Sequence, residues 1–245
     1  MTPAIEVMKL TKLYGSTTAV RDLDLSVSQG ELFSLLGVNG AGKTTAIKML
    51  TCLIRPTSGN AVLLGHSILF DPDAVKAKTN VSPQETAVAR NLTTEENLQL
   101  MAEIYGSSRA TARNQTAELL AKFGLTDVAR KRAKVLSGGM QRRLSIAMAL
   151  ISDPEILFLD EPTLGLDVLA RRELWKAIRE LKGRVTMILT THYMEEAEAL
   201  SDRVGVLVKG SLKAVGTSAE LVAATGGTAL EDAFIALATG GEATT

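Results

Sequence analysis

The sequence contains one cysteine, few aromatic residues and no excess of charge of either sign. Because Cys52 has no second cysteine to pair with, no disulfide bond can form within the chain, and its apolar surroundings predict a buried thiol on a helix. Lys and Arg together number 27, and Asp and Glu also number 27. No net field therefore attracts the protein to nucleic acid or to an acidic membrane surface. We expect no nucleic-acid partner, and we expect any partner to be recognised by local features.

Long hydrophobic runs are absent as well. The longest, such as residues 146–151, are far too short to span a bilayer. The first residues, 1–12, lack the basic region followed by an apolar segment that is typical of a secretory signal. These observations predict a cytoplasmic protein. With 245 residues and 46% hydrophobic side chains, the chain is long enough to bury a sizeable core in one large domain, with or without a subdomain.

Three glycines lie within residues 37–45, Gly-Val-Asn-Gly-Ala-Gly-Lys-Thr-Thr. Apolar residues precede this segment and a helical pattern follows it, so we predict a strand, a loop and a helix. The spacing G-x-x-x-x-G-K-[ST] is typical of a loop whose backbone N–H groups surround a phosphate chain at a helix N-terminus. Lys43 is then expected to bind the β- and γ-phosphates, and Thr44 to bind Mg²⁺. The candidate nucleotide ligands are Gly37, Asn39, Gly40, Ala41, Gly42, Lys43, Thr44 and Thr45.

Two later segments place polar residues at the ends of predicted strands. Residues 156–159 are entirely apolar, which is typical of a strand buried on both faces of a parallel sheet, and Asp160 and Glu161 follow directly. Carboxylates at that edge face the phosphate loop. Asp160 therefore suits Mg²⁺, and Glu161 is placed to orient or deprotonate an attacking water. A second apolar strand, residues 186–189, leads to His192, a candidate donor to the γ-phosphate.

Two features have more than one interpretation. Residues 136–141, Leu-Ser-Gly-Gly-Met-Gln, begin a strongly patterned helix whose free N–H groups predict a second anion site, although Ser137 is alternatively an ordinary N-cap. Tyr14 follows the first predicted strand, where a tyrosine is either a core ring or a flat surface on which a purine stacks. The phosphate loop alone does not decide the function, since kinases, GTPases, motors and transport ATPases share it.

Hydrophobic periodicity predicts the remaining organisation. Alternating apolar residues in segments 5–10 and 23–27 indicate two β-strands ahead of the loop, whereas residues 93–150 change to helical periodicity. The helical stretch indicates an insert, entered through Pro83 and Gln84. Further predicted elements are strands near 204–208 and 211–215 and a last helix near 230–238.

Together these residues resemble the ATP-binding cassette of ABC transporters in type, order and spacing. The resemblance rests on Tyr14, residues 37–45, Gln84, residues 136–141, residues 156–161, Gly165-Leu166-Asp167 and His192. It implies an α/β fold of the P-loop NTPase class, with a parallel-sheet core, an antiparallel β subdomain and a helical insert. It also implies an ABC ATPase domain over residues 1–225, with the insert at about 86–150, and a C-terminal helix and disordered tail over 226–245.

The same resemblance implies roles for individual residues within one protomer. Tyr14 would stack on adenine, Gln84 would serve both hydrolysis and Mg²⁺ binding, Glu161 would be the catalytic base, and His192 would contact the γ-phosphate. The implied metal ligands are Thr44, Gln84 and Asp160.

Other implied roles involve a second protomer. Ser137, Gly138 and Gly139 resemble the signature segment that closes over the ATP of a second subunit, and Asp167 belongs to a loop that couples the two sites. The implied assembly is a homodimer, or a pair with a related ABC subunit, with ATP at the interface.

The implied function is an ATP-hydrolysing subunit that powers a separate integral membrane permease from the cytoplasmic face, as a peripheral protein. Residues 191–198 and 230–234 resemble the exporter branch that includes drug, antibiotic and polysaccharide efflux. Two alternatives are a soluble ABC-type ATPase acting on ribosomes or in DNA repair, and a regulatory module that binds ATP without turnover.

Overall fold

The computed structural model describes residues 3–239, which form two β-sheets and the helices packed on them. The strands are β1 (Ile5–Tyr14), β2 (Thr17–Val27), β3 (Leu32–Leu36), β4 (Ser58–Leu63), β5 (His66–Ser67), β6 (Thr79–Ser82), β7 (Ile156–Asp160), β8 (Thr186–Thr191), β9 (Arg203–Val208) and β10 (Ser211–Gly216). The helices are α1 (Lys43–Leu50), α2 (Pro72–Lys78), α3 (Thr94–Ile104), α4 (Arg109–Lys122), α5 (Gly138–Leu150), α6 (Val168–Arg179), α7 (Met194–Leu200), α8 (Ser218–Thr225) and α9 (Leu230–Thr239). Short 3₁₀ turns cover Thr126–Val128 and Ala133–Val135.

The larger sheet has six strands in the order β10-β9-β3-β8-β7-β6. Strands β9, β3, β8, β7 and β6 run parallel, and only β10, at the edge, is antiparallel to its neighbour. The smaller sheet is antiparallel, in the order β2-β1-β4-β5. These sheets confirm the predicted α/β architecture of a parallel core with an antiparallel β subdomain.

The parallel sheet is a core element because its central strands bury both faces. Every residue of β3 and of β7 is buried. Side chains alternate between the faces along a strand, so Phe33 and Leu35 pack toward α1 and the β subdomain, whereas Leu32 packs in the cluster that includes α5 and α6. Burial on both faces explains why β7 is continuously apolar until Asp160.

The strand register brings the predicted polar residues to one edge of this sheet. Leu36, the last residue of β3, lies beside Thr191 of β8. Thr190 of β8 in turn lies beside Asp160 of β7. Strand β6 pairs in parallel with β7 and ends at Ser82, shortly before Gln84. The segments that follow these four strands therefore start at the same edge.

The helical stretch predicted over residues 93–150 consists of α3, α4 and α5 with the two 3₁₀ turns between them. Helix α3 begins with a capping box, in which Thr93 and Glu96 satisfy each other's backbone N–H groups. Helix α5 packs against α3 and α6 and also against β6 and β7. It therefore connects the helical region to the strands that carry the polar residues.

The C-terminal helices pack against the edge of the larger sheet that is formed by β9 and β10. Leu221 of α8 and Leu230 and Phe234 of α9 join buried residues of β9 in one cluster. Within residues 3–239, no single helix has the length and composition needed to cross a membrane. Helices α8 and α9 meet these two criteria only when they are counted together, as a pair bent by 56°. Residues 240–245, predicted to be a disordered tail, lie outside the described residues.

Cys52 differs from the prediction. Helix α1 ends at Leu50, so Cys52 follows the helix and adopts a positive φ of 57° instead of lying on a helical face. The residue is only half-buried, and its Sγ lies 3.7 Å from the Ile68 carbonyl oxygen. Burial nevertheless raises the pKa of the thiol, which keeps it protonated.

Candidate functional site: a phosphate loop facing two carboxylates

The loop between β3 and α1 follows a path that only glycine permits at two positions. Gly42, the N-cap of α1, has a φ of 107°, and an added Cβ would overlap the Ala19 carbonyl oxygen. An added Cβ on Gly37 would overlap the Leu207 carbonyl oxygen. The sequence pattern therefore reflects close backbone packing as well as the conformation that an anion-binding loop requires.

Lys43 is buried under this loop, with 4% of its surface exposed. Its Nζ donates to the carbonyl oxygens of Gly37 at 2.7 Å and Val38 at 3.2 Å. The same ammonium lies 3.0 Å from Oε1 of Glu161, which is also buried. The predicted phosphate-binding cation and the predicted base are thus direct neighbours, held in one place by the loop and by β7.

Asp160 is surrounded by hydroxyl groups. Its Oδ1 accepts hydrogen bonds from Thr44 at 3.2 Å and from Thr190. Gln84 is exposed and lines the same cleft. A carboxylate, a hydroxyl and an amide oxygen are all hard oxygen ligands, and Mg²⁺ usually takes one or two protein carboxylates while keeping several waters. The predicted ligands Thr44, Gln84 and Asp160 therefore fit Mg²⁺ chemically.

Glu161 is held in an uncommon conformation at the end of β7. Its φ is 46°, and its N–H donates to the Thr190 carbonyl oxygen at 3.1 Å and approaches Thr190 Oγ1 at 3.0 Å. Its Oε2 lies 2.9 Å from Nδ1 of His192. Positive φ in a non-glycine residue is often found where a side chain must point in a particular direction. Here the carboxylate is aimed between Lys43 and His192.

These residues surround a cleft of about 260 Å³. Its walls are formed by Ala19, Asn39, Gly40, Ala41, Gly42, Lys43, Thr44, Thr45, Gln84 and Glu161. A larger groove, of about 540 Å³, includes Lys122 and Arg184 and lies beside Glu155, which precedes β7. It is therefore at the opposite end of that strand from Asp160, and it contains none of the predicted site residues.

Eight predicted residues do not line this cleft: Tyr14, Gly37, Ser137, Gly138, Gly139, Asp160, Asp167 and His192. Of these, Gly37, Asp160 and His192 contact the lining residues Lys43, Thr44 and Glu161, respectively, whereas the other five lie apart from the cleft. Tyr14 is the last residue of β1 and is 50% exposed, with Lys12 Nζ 5.2 Å from its ring centroid, so it is not a core ring. Ser137 caps α5 by accepting from Met140 N at 3.3 Å, as the simpler interpretation of this residue predicted. Asp167 caps α6 by accepting from Ala170 N at 2.9 Å.

The structure also reveals two residues that sequence reasoning missed. Thr190 binds both Asp160 and the backbone of Glu161. Arg142 is buried on α5 and binds the Asp160 carbonyl oxygen at 2.8 Å. The signal that could have revealed Arg142 is its position four residues before Ile146, which places a charged side chain on the buried face of the helix.

Comparison with known proteins identifies the family. The family model described as ABC transporter matches residues 20–164, which is more than half of the 245 residues, and the chain therefore belongs to the ABC transporter family. Within that family it corresponds to the ATP-binding component, as the following relatives indicate.

Two relatives are ATP-binding proteins of antibiotic resistance systems. The chain is 44% identical over 230 residues to the daunorubicin/doxorubicin resistance ATP-binding protein DrrA of Streptomyces peucetius, covering 94% of this chain and 70% of that protein. It is 39% identical over 224 residues to the linearmycin resistance ATP-binding protein LnrL of Bacillus subtilis (strain 168), covering 91% and 72%.

Solved structures agree with this assignment. An ATP-binding subunit of an ABC transporter superposes with a TM-score of 0.84 at 31% identity, covering 96% of this chain and 99% of the other. A dimeric ATP-binding cassette in a post-hydrolysis state, bound to ADP and Pi, superposes with a TM-score of 0.78 at 26% identity, covering 87% and 98%. The chain is thus similar to proteins that bind adenine nucleotides, one of them as a dimer.

Proposed function

We propose that this protein binds ATP in the loop of residues 37–45, hydrolyses it, and thereby powers export through a separate membrane permease. The observation that carries the proposal is the convergence of Lys43, Asp160, Glu161 and His192 at one sheet edge. A loop that only bound phosphate would not need a buried carboxylate held next to its lysine.

Each residue has a distinct part in the proposed reaction. Lys43 is placed to bind the β- and γ-phosphates next to the base, because its ammonium lies between the loop carbonyls and Glu161. Glu161 orients the attacking water and accepts its proton. His192 holds the Glu161 carboxylate through Nδ1 and is proposed to contact the γ-phosphate. Mg²⁺, held by Thr44, Gln84 and Asp160, would neutralise charge that develops on the phosphate oxygens.

We further propose that the complete site is shared by two protomers. Tyr14 is half-exposed and free to stack on adenine, while Ser137 and Gly138 are exposed at the start of α5. Tyr14 would stack on the adenine bound in its own protomer. Ser137, Gly138 and Gly139 would contact the ATP held by a second subunit, and Asp167 would couple the two sites. The dimeric cassette found among the solved structures supports this arrangement.

The permease partner is proposed from the relatives and from the helical region. The relatives act in drug and antibiotic resistance, which favours export. Helix α3 and its C-cap residue, Tyr105, expose three large apolar side chains, Leu100, Ile104 and Tyr105, at 44%, 65% and 48%. We propose an ATPase domain over residues 1–225, an insert at about 86–150 that faces the permease, and a C-terminal segment over 226–245. The protein would work at the cytoplasmic face, and the relatives do not favour a role on ribosomes or in DNA repair.

Replacement of the base tests hydrolysis. Glu161→Gln keeps the shape and a hydrogen-bonding oxygen but removes the base, so turnover should fall by about 10²- to 10⁴-fold, or roughly 3 to 5 kcal/mol of barrier. ATP binding measured by calorimetry should survive, and ATP should trap a dimer visible by size exclusion. Glu155→Gln is the matched control, because Glu155 precedes β7 and pairs with Lys78 at 3.3 Å, away from the cleft. Normal hydrolysis by Glu161→Gln would place the base elsewhere.

Purification from native membranes tests the transport proposal. With this chain as bait, a polytopic membrane protein should be recovered in an equal amount. Recovery of ribosomal or DNA-repair proteins in its place would contradict the transport role.

A further inference from the structure

Arg142 makes an unusual set of contacts for a buried charged residue. It lies on α5 with 3% of its surface exposed. Its Nε donates to the Pro162 carbonyl oxygen at 2.8 Å, and one terminal nitrogen, Nη2, donates to the Asp160 carbonyl oxygen at 2.8 Å. The other, Nη1, donates to the carbonyl oxygens of Gln84, at 3.2 Å, and Pro83. The guanidinium therefore binds four main-chain oxygens.

These contacts explain how the charge is retained in the interior. Within residues 3–239, no carboxylate lies in salt-bridge distance of Arg142, so carbonyl dipoles compensate its loss of hydration. Burial lowers the pKa of the guanidinium to about 10, against the opposing effects of the Asp160 and Glu196 charges. Arg142 therefore stays protonated at neutral pH and keeps all of its N–H donors.

The four carbonyl groups belong to separate parts of the proposed site. Pro83 and Gln84 follow β6, Asp160 ends β7, and Pro162 follows Glu161. Arg142 contacts none of the predicted phosphate ligands in the loop of residues 37–45. The next residue, Arg143, has a different orientation, because its Nη1 lies 3.2 Å from Glu173 of α6. Contact with the site is thus specific to one of two adjacent arginines.

We propose that Arg142 is a positioning residue, which fastens α5 to the segments that carry Gln84 and Glu161 and so sets their placement for hydrolysis. The fixed fork of the guanidinium suits this role, since it directs N–H groups at several acceptors in one plane. No other residue of α5 makes side-chain hydrogen bonds to both of these segments among the described residues. The expected loss of turnover rests on the proposed ATPase function, whereas the fastening of the two segments by Arg142 does not.

Kinetics and hydrogen exchange together test this role. Arg142→Met retains much of the volume but removes the donors, so kcat should fall by about 10²-fold, while the KM for ATP stays within about threefold. Amide hydrogen exchange should accelerate in peptides that cover residues 83–89 and 160–166 and stay unchanged in β1 and β2. Arg142→Lys keeps the charge and three N–H donors, so both effects should be smaller. Arg143→Gln is the control, and it should leave kcat and exchange in these peptides unchanged.

The outcomes separate this inference from its alternatives. A uniform rise in exchange across the chain, or equal losses in Arg142→Met and Arg143→Gln, would overturn the positioning role in favour of general stabilisation. If Arg142→Met does not fold, the comparison of Arg142→Lys with Arg143→Gln decides by the same two measurements. If the wild-type protein hydrolyses no ATP, the proposed function fails, whereas the exchange comparison still supports or overturns the fastening of these segments.

Discussion

Helices α1 and α5 both begin at glycine-containing segments that expose backbone N–H groups, but their surroundings differ. The start of α1 lies beside Lys43, Asp160 and Glu161 in a cleft of the same chain. The start of α5 is exposed at Ser137 and Gly138, and its cap is made by Ser137 itself. Similar helix starts can therefore have different roles, because the groups brought next to them decide what they bind.

The two helix starts also differ in how tightly one glycine of each, Gly42 and Gly138, is packed. An added Cβ on Gly42 would overlap backbone from β2, and the residue has a positive φ, whereas an added Cβ on Gly138 would meet nothing within 4 Å. The α1 start is thus built into its own chain. The α5 start has room for another molecule at Gly138, although Gly139 is packed against Ala170 of α6. The space at Gly138 agrees with the proposed contact with the nucleotide of a second protomer.

The same substitution at both positions provides the strongest test of this contrast. Gly42→Ala should lower the free energy of unfolding by roughly 2–4 kcal/mol and abolish ATP binding, because it introduces both backbone strain and overlap. Gly138→Ala should change stability by less than about 1 kcal/mol, since alanine suits a helix better than glycine. Urea denaturation and calorimetry measure both effects. Equal destabilisation by the two substitutions would remove the contrast.

Removing the lysine of the loop should weaken ATP binding at the start of α1. Lys43→Ala removes the ammonium next to the proposed γ-phosphate position, so ATP affinity should fall by about tenfold or more, on the order of 1.4 kcal/mol. Lys48→Ala is the control, because Lys48 is exposed in the last turn of the same helix. Unchanged ATP affinity of Lys43→Ala by calorimetry would contradict the assignment of the phosphate loop.

A bulky charge at the α5 start should leave binding intact and reduce turnover. Ser137 lies outside the cleft of its own chain. The ATP affinity of Ser137→Arg should therefore match the wild type, whereas hydrolysis by the dimer should nearly disappear.

By mass action, wild-type specific activity should rise with protein concentration as weak dimers form. Constant specific activity well below micromolar, with a monomer confirmed by light scattering, would exclude the shared site.

Mixing the two inactive variants sharpens the same comparison. A heterodimer of Lys43→Ala and Ser137→Arg has one site with both lesions and one site with intact ligands from each partner. Partial recovery of activity is expected if the two sites work independently. Strict coupling of the two sites through Asp167 would prevent recovery of activity. An absence of recovery therefore does not by itself contradict the shared site, which the concentration dependence of the wild-type activity tests directly.

The smallest expected effect concerns Glu196 of α7, near the loop that leads to α6. Its carboxylate is fully buried, accepts from Trp175 Nε1 at 3.0 Å, and has Arg171 as a nearby charge. Burial raises the pKa of this carboxyl above its usual 4.5. The stability associated with the protonated form is therefore present below pH 4.5 and is lost as the pH rises through the folded-state pKa.

Glu196→Gln keeps a neutral side chain at every pH. At pH 8 it should be more stable than the wild type by about 1 kcal/mol, or roughly 2–4 °C in Tm, and the difference should shrink as the pH approaches 5. Glu198→Gln, an exposed neighbour on α7, should show no such pH dependence. A stabilisation that is the same at both pH values would contradict the assigned cause.

Sequence was sufficient to predict the phosphate loop, the apolar strand before Asp160 and the helical stretch, because these depend on local spacing. A tight loop requires glycine at fixed positions, and a strand buried on both faces must be apolar. The two sheets and their parallel and antiparallel character also agree with the predicted architecture.

Tertiary structure was needed to establish which side chains meet. The distances from Glu161 to Lys43 and His192 depend on the register of β3, β7 and β8, and no local pattern specifies that register. Arg142 binds segments far from it in sequence, so its contacts arise only when α5 packs on β6 and β7. The exposure of Tyr14 was likewise undecided in sequence, because a tyrosine at a strand end suits either a core or a surface, and packing around it determines which one occurs.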